Sequence, residues 1–153
     1  DTIIGNKGMT SRVLYAKLAA VEDYINKIMT FSKYKVRISM EDGRSEMTVL
    51  VQNTETAKWL STHRLSGYEK LLLQIAFKRA LNKYSYITKC GLIILDEALD
   101  CIDQENFHGK LPDIINMITK DYYSCLAISQ RDITHICDRQ IIIRKVNGIS
   151  FID

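Results

Sequence analysis

Six residues constrain this chain more than any others: Leu92-Ile93-Ile94-Leu95 followed by Asp96 and Glu97. Four apolar residues in a row, preceded by Cys90 and Gly91, describe a strand buried on both faces, as in the centre of a parallel sheet. Two acids at its C-terminal end put carboxylates where ligands bind in open α/β sheets. Asp96 is suited to hold a magnesium ion in phosphate chemistry, and Glu97 to polarise an attacking water. Taken alone, the same pair could simply end the strand and cap the following helix.

The rest of the chain supplies the partners such a strand needs. Residues 66–83 form the strongest helix, with Leu72, Ile75, Ala76 and Ala80 and no breaker. A helix is expected over residues 104–120, with Gly109 and Pro112 breaking or restarting it. Residues 123–128 read as a second buried strand and residues 132–137 as a short helix. Strands alternating with helices between residues 66 and 139 imply parallel βαβ units. Two antiparallel hairpins flank this region. One joins residues 34–40 to 47–51 through the turn Glu41-Asp42-Gly43. The other closes the chain, joining 139–146 to 149–152 through Asn147-Gly148.

Ahead of the first hairpin, Leu14, Leu18, Val21, Ile25 and Ile28 recur in steps of four, three, four and three. A helix over residues 11–31 follows, either the end of a coiled coil or an amphipathic helix packed on the domain. Residues 1–33 are set apart as that helical segment, and residues 34–153 as an α/β lobe.

Bulk properties narrow the function classes. The chain has 153 residues and 46% hydrophobic content, enough for one domain with a real core. Its net charge of +3 comes from Lys and Arg interspersed with Asp and Glu, which does not define a duplex-binding patch. The four cysteines have no CxxC spacing and suit reduced, mostly buried thiols in an intracellular protein. His135 and Cys137 are too few ligands for zinc. His63, His108 and His135 read as structural or surface groups. No stretch approaches the ~20 apolar residues of a membrane span. The first residues carry neither a signal peptide nor an initiator Met, as expected of a piece of a longer protein or of a chain whose Met is removed by processing.

A second feature precedes the strongest helix: Leu65-Ser66-Gly67-Tyr68-Glu69-Lys70. A Ser-Gly pair at a helix start exposes backbone N–H groups and the positive end of the dipole, an anion site to which Ser66 adds a hydroxyl. Ser66 with Glu69 also fits a capping box, and the two roles are compatible.

At these residues the chain resembles the SMC/SbcC-type ABC ATPase heads. Residues 65–70 resemble the signature motif, LSGGE followed by Lys. Residues 92–97 look like the Walker B strand. Asp100-Cys101-Ile102-Asp103 looks like the D-loop, closing on Asp103. Ile128-Ser129-Gln130-Arg131-Asp132 falls where the family has its switch. The resemblance implies the α/β C-terminal lobe of a P-loop ABC ATPase head, with parallel strands, flanking helices, β-hairpins and an N-terminal amphipathic helix. It further implies ATP and Mg2+ as ligands. Ser66, Gly67, Tyr68, Glu69 and Lys70 bind ATP held by another head. Asp96 holds the metal, Glu97 orients the water, Gln130 senses the γ-phosphate and Asp103 couples the two sites.

The same resemblance names the partners. They are an N-terminal P-loop lobe, since Gly5-Asn6-Lys7-Gly8 lacks P-loop spacing, and a second head in a dimer. DNA is contacted through the full complex, with a nuclease partner as in the SbcC type and no membrane. The setting is intracellular, in nucleus, cytoplasm or nucleoid, in chromosome maintenance or break repair. Two positions depart from the family. Tyr68 replaces a second glycine, placing a bulky side chain beside the phosphate-binding turn. Gln130 replaces the usual switch histidine; it can donate a hydrogen bond but cannot carry charge. Both departures bear on turnover more than on nucleotide binding, and they define a second expectation, a hydrolysis-poor head acting as a nucleotide-binding clamp.

Overall fold

A computed structural model describes the backbone of residues 6–40, 47–86 and 88–152, with side chains described for 17–39, 47–86, 88–104 and 107–152. Helix α1 (Asn6–Met29) leads into a meander of β1 (Tyr34–Met40), β2 (Met47–Asn53) and β3 (Trp59–Ser61), all antiparallel in the order β1-β2-β3. The pairing Tyr34↔Asn53 through Met40↔Met47 is that of the expected hairpin; its turn at Glu41-Asp42-Gly43 lies outside the described residues. Strand β3 was not foreseen, because three residues around one tryptophan carry no readable alternation.

The described heptad residues of α1, Leu18 to Ile28, face the rest of the molecule. Ile25 and Ile28 are buried with Met29, while Leu18 and Val21 pack at the margin of the same core. The polar side of the helix also contributes. Asn26 donates to the Val36 carbonyl at 2.9 Å and accepts from the Val36 N–H at 2.7 Å, and Glu22 accepts from the Ile38 N–H at 2.6 Å. Edge strand β1 thus has part of its open backbone ladder satisfied by a helix.

Helix α2 (Gly67–Tyr84) buries Leu71, Leu72, Ile75, Ala76 and Ala80. Strands β4 (Leu92–Asp96) and β5 (Ser124–Ile128) are parallel and linked by α3 (Gln104–Thr119), the expected βαβ unit. Ile93 and Leu95 share the core with Leu99, Ile102, Leu111, Ile114 and Ile118.

Four sequence expectations need correction. Strand β4 is buried on one face, not two. Leu92 and Ile94 on β4, with Leu126 and Ile128 on β5, remain 45–49% exposed on the other. Helix α3 runs through Gly109 and Pro112 without a break. The carbonyl that Pro112 leaves without its N–H belongs to exposed His108, within reach of water, while buried Leu111 and Ile114 hold the helix down. The segment 132–137 forms only a 3-10 turn at Thr134–Ile136. Cys90 and Cys101 are exposed rather than buried, and Cys125 and Cys137 are half-buried.

The closing hairpin pairs β6 (Ile143–Val146) with β7 (Ile149–Ile152). Asn147 and Gly148 take φ of 49° and 84°, the left-handed pair that a two-residue hairpin turn requires. Every residue of both strands is exposed.

Candidate functional site

Asp96 ends β4 with its side chain exposed at the sheet's C-terminal edge. Glu97 turns the chain away: its φ is 48°, left-handed backbone that costs a non-glycine residue of order 1–2 kcal/mol. The Glu97 N–H still bonds the Ile128 carbonyl at 2.9 Å, so β5 holds the strained residue in place. Opposite it, the side-chain amide of Gln130 donates to Glu97 Oε1 at 3.3 Å. Asp96, Glu97 and Gln130 therefore share one edge. A shallow cleft of about 190 Å³ beside them is lined by Leu71, Ile75, Lys78, Ile94, Asp96 and Ala98.

The start of α2 forms the second grouping. Ser66 Oγ accepts from the Glu69 N–H at 3.4 Å, and Glu69 accepts from the Ser66 N–H at 2.8 Å, closing the expected capping box. Lys70 N–H bonds the Ser66 carbonyl at 2.9 Å, and its side chain is exposed. Helix geometry leaves the N–H groups of Gly67 and Tyr68 without partners inside the helix. Ser66 Oγ, used here as an acceptor, keeps its proton to donate.

Tyr68 does not stand where its sequence position suggested. Its ring is 3% exposed, its hydroxyl donates to the Phe31 carbonyl at 3.4 Å, and Lys110 Nζ lies 4.8 Å from the ring centre. Burial, with the nearby charges of Asp113 and Glu69, raises the phenol above its usual range. The bulk points into the core, and the turn keeps only the Tyr68 backbone.

The loop 98–103 joins the two groupings. A Cβ on Gly67 would meet the Cys101 carbonyl oxygen at 1.9 Å, and the Cys101 thiol donates to the carbonyls of Ala98 (3.0 Å) and Gly67 (3.6 Å). Asp100 accepts from Ser129 Oγ at 2.5 Å and from the Gln130 N–H at 3.1 Å. Burial pushes the Asp100 carboxyl up, but these bonds and the charge of Arg131 outweigh it and hold the carboxyl below the ordinary range. Arg131 donates to the Ile102 carbonyl at 2.6 Å, its guanidinium 5.0 Å from the centre of the Phe107 ring. Asp103 is exposed at the entry to α3, its carbonyl accepting from the Phe107 N–H at 2.9 Å.

Sequence reasoning gave Asp100, Ser129 and Arg131 no role of their own. The one signal available was their place inside two motifs that would have to meet. Among the described residues no three His, Cys, Asp or Glu side chains converge as a metal cage. A magnesium shared with nucleotide phosphates needs only one or two carboxylates, and Asp96 fits that role. No described helix is long and apolar enough to cross a membrane.

No family model matches the chain. In sequence it is similar to the DNA double-strand break repair Rad50 ATPase of Thermococcus kodakarensis, 26% identical over 148 residues, covering 95% of this chain and 16% of that protein. The corresponding Rad50 ATPase of Archaeoglobus fulgidus is 27% identical over 137 residues, 85% of this chain and 15% of the relative. An uncharacterised protein of Acanthamoeba polyphaga mimivirus is 32% identical over 86 residues, 56% of this chain and 6% of that protein. The chain thus spans about a sixth or less of the curated relatives it matches.

Among solved structures, one from a study of ATP-driven dimerization and DNA-stimulated activation of SMC ATPases aligns with a TM-score of 0.68 at 19% identity, covering 93% of this chain and 87% of that one. The Smc head domain with a coiled coil and joint from Pyrococcus yayanosii aligns at 0.67 and 18% identity, covering 96% and 28%. The chain therefore has the fold of the SMC head structures it aligns with, and in sequence its likeness runs to the Rad50 ATPases.

Proposed function

We propose that the chain is the C-terminal lobe of an ATPase head that closes with a second head around ATP, its P-loop supplied by an N-terminal lobe. The observation that carries this reading is the seating of Gly67 against Cys101. It fastens the helix start that meets one nucleotide to the loop leading from the carboxylates that serve the other.

Each residue has a task in this scheme. Ser66 Oγ and the N–H groups of Gly67 and Tyr68 donate to the γ-phosphate held by the opposite head, with the dipole of α2 behind them. Glu69 keeps the helix start capped, and Lys70 adds positive charge. Glu97 accepts a proton from the attacking water, its position set by the Ile128 carbonyl and by Gln130. Asp96 would hold the magnesium, which would supply positive charge against that developing on the phosphoryl group. Gln130 senses the γ-phosphate, and Asp103 carries the state of one site to the other. ATP holds the heads together and hydrolysis releases them, a population shift driven by ligand.

The wider assembly follows the relatives. Helix α1, packed on the lobe through Ile25 and Ile28, would join the head to a coiled coil; DNA is engaged by the complete complex in repair or chromosome maintenance, and a nuclease partner is of the SbcC kind. Replacing Glu97 by Gln in the complete head should leave ATP binding intact, slow hydrolysis by about 100-fold or more, and trap the dimer. Turnover at the wild-type rate removes Glu97 from its role.

A second reading, a hydrolysis-poor head working as a nucleotide-gated clamp, is favoured by Gln130, a neutral group at the switch whose amide already bonds Glu97. Tyr68 no longer speaks for it, since its ring is in the core. Single-turnover hydrolysis by the wild-type head separates the two readings.

A further inference from the structure

We propose that Asp100 and Arg131 are positioning residues that bind the switch segment 129–131 to the loop 98–103, so that a displacement at Gln130 is delivered to Asp103. The proposal rests on the ATPase reading above for what is transmitted, while the link itself stands on geometry.

All three consecutive switch residues grip this loop, and they grip it at two points. At residue 100 the carboxylate accepts from Ser129 Oγ (2.5 Å) and from the Gln130 N–H (3.1 Å). At residue 102 the carbonyl accepts from the Arg131 guanidinium (2.6 Å), which is braced on the Phe107 ring. Ser129 Oγ also accepts from the Arg131 N–H at 3.0 Å, so the residues on either side of Gln130 brace each other. Between the two points, Cys101 leans on Gly67. One point of attachment would leave the loop free to swivel; two points on either side of a backbone contact fix its orientation.

Gln130 belongs to both ends of the device. Its side chain bonds Glu97 at 3.3 Å, while its N–H bonds Asp100 at 3.1 Å. Moving that side chain toward a phosphate shifts the backbone that Asp100 holds. Ile102 is buried at 1% exposure, so the loop moves as a packed piece and Asp103, the next residue, moves with it. Charge-assisted bonds at both grips make this a stiff connection.

The test uses the complete head carrying Arg131→Ala, Arg131→Lys, Asp100→Asn and the double variant Asp100→Asn/Arg131→Ala. Affinity of a single head for a fluorescent ATP analogue should stay within about twofold, because neither residue touches nucleotide. The dissociation constant of the ATP-bound dimer should rise about tenfold in Arg131→Ala, which is about 1.4 kcal/mol. Arg131→Lys should recover part of it. The double variant should be no worse than the weaker single variant, as expected for residues that act as one unit.

Parallel loss of nucleotide affinity and dimerisation would point to general loosening and overturn the proposal, as would single effects that multiply in the double variant. Amide hydrogen exchange across residues 98–103 provides a readout independent of ATP. Faster exchange in Arg131→Ala upholds the link and unchanged protection overturns it. A wild-type head that neither binds ATP nor dimerises ends the ATPase reading, and the exchange result on the same variants then decides the link alone.

Discussion

At Gly67 the need for glycine comes from a neighbour and not from the backbone angle. The Cys101 carbonyl occupies the space where a side chain would begin, so helix and loop meet backbone to backbone. Tyr68, one residue on, teaches the opposite lesson. Its motif position suggests that glycine would restore the family pattern and improve catalysis. Its packing predicts harm: Tyr68→Gly deletes a buried ring and puts glycine in the first turn of a helix, a loss of about 3–5 kcal/mol. Denaturant melts of the head should show that loss with no gain in turnover; a faster and equally stable variant would return the ring to the site. The motif was legible because its residue types are chemically tied to phosphate. The direction of Tyr68 was not read, although Tyr68, Leu72 and Ile75 recur at helical spacing on what proves to be one buried face.

Among the elements, α1, α2 and the turn after α3 are fastened by one polar cluster. Arg79 on α2 is 8% exposed and pairs with Asp121, which also accepts from the Tyr24 hydroxyl at 3.1 Å. Lys83 Nζ lies 4.4 Å from the Tyr24 ring centre. Burial raises the Asp121 carboxyl, but the bond and charge of Arg79, then Tyr24 and Lys83, outweigh it and keep it below the ordinary carboxylate range. The sign follows: a depressed carboxylate stabilises the fold above its unfolded value of about 4, and that contribution disappears as pH falls through the lower folded value. Asp121→Asn should cost about 1–2 kcal/mol at pH 7, less than a fully buried pair because a third of Asp121 stays in water. Urea melts should show the gap between wild type and variant closing below pH 4; a gap constant from pH 7 to 3 would assign the loss to packing alone. No sequence pattern announced this cluster, since its members are 42 and 97 residues apart in its two bonds to Asp121. Periodicity reports which face of a helix is buried, while the parallel strands were legible as short apolar runs, which do not say how many faces are covered. Periodicity does not report which polar side chains meet across elements. It also overstated Pro112, whose cost falls on a carbonyl that water can serve.

For the molecule as a whole, the most informative surface is the one the sequence led us to expect covered. Four apolar residues in a row predicted a strand buried on both faces, yet Leu92, Ile94, Leu126 and Ile128 stand half-exposed on one side of β4 and β5. The expectation and the structure agree if the second face belongs to an interface. The closing hairpin makes the same point: Ile143, Val146, Ile149, Phe151 and Ile152 are all at least half-exposed on strands that, among the described residues, pair only with each other. Contiguous apolar surface of this kind marks a docking site or an aggregation hazard. Under the proposed function the occupant is the N-terminal P-loop lobe, which would cover the sheet and bring the missing phosphate loop beside Asp96. The chain expressed by itself should therefore bind a hydrophobic dye strongly and self-associate. Co-expression with its P-loop lobe should remove the dye signal and raise the melting temperature by several degrees, as burial of the four sheet residues requires. Ile94→Asp, at the centre of the open face, should weaken lobe assembly while leaving the isolated chain's melting temperature nearly unchanged, because Ile94 contributes little to its own core. A chain that is monomeric and dye-silent alone, or a lobe complex indifferent to Ile94→Asp, would place the partner elsewhere and leave the exposed strand unexplained.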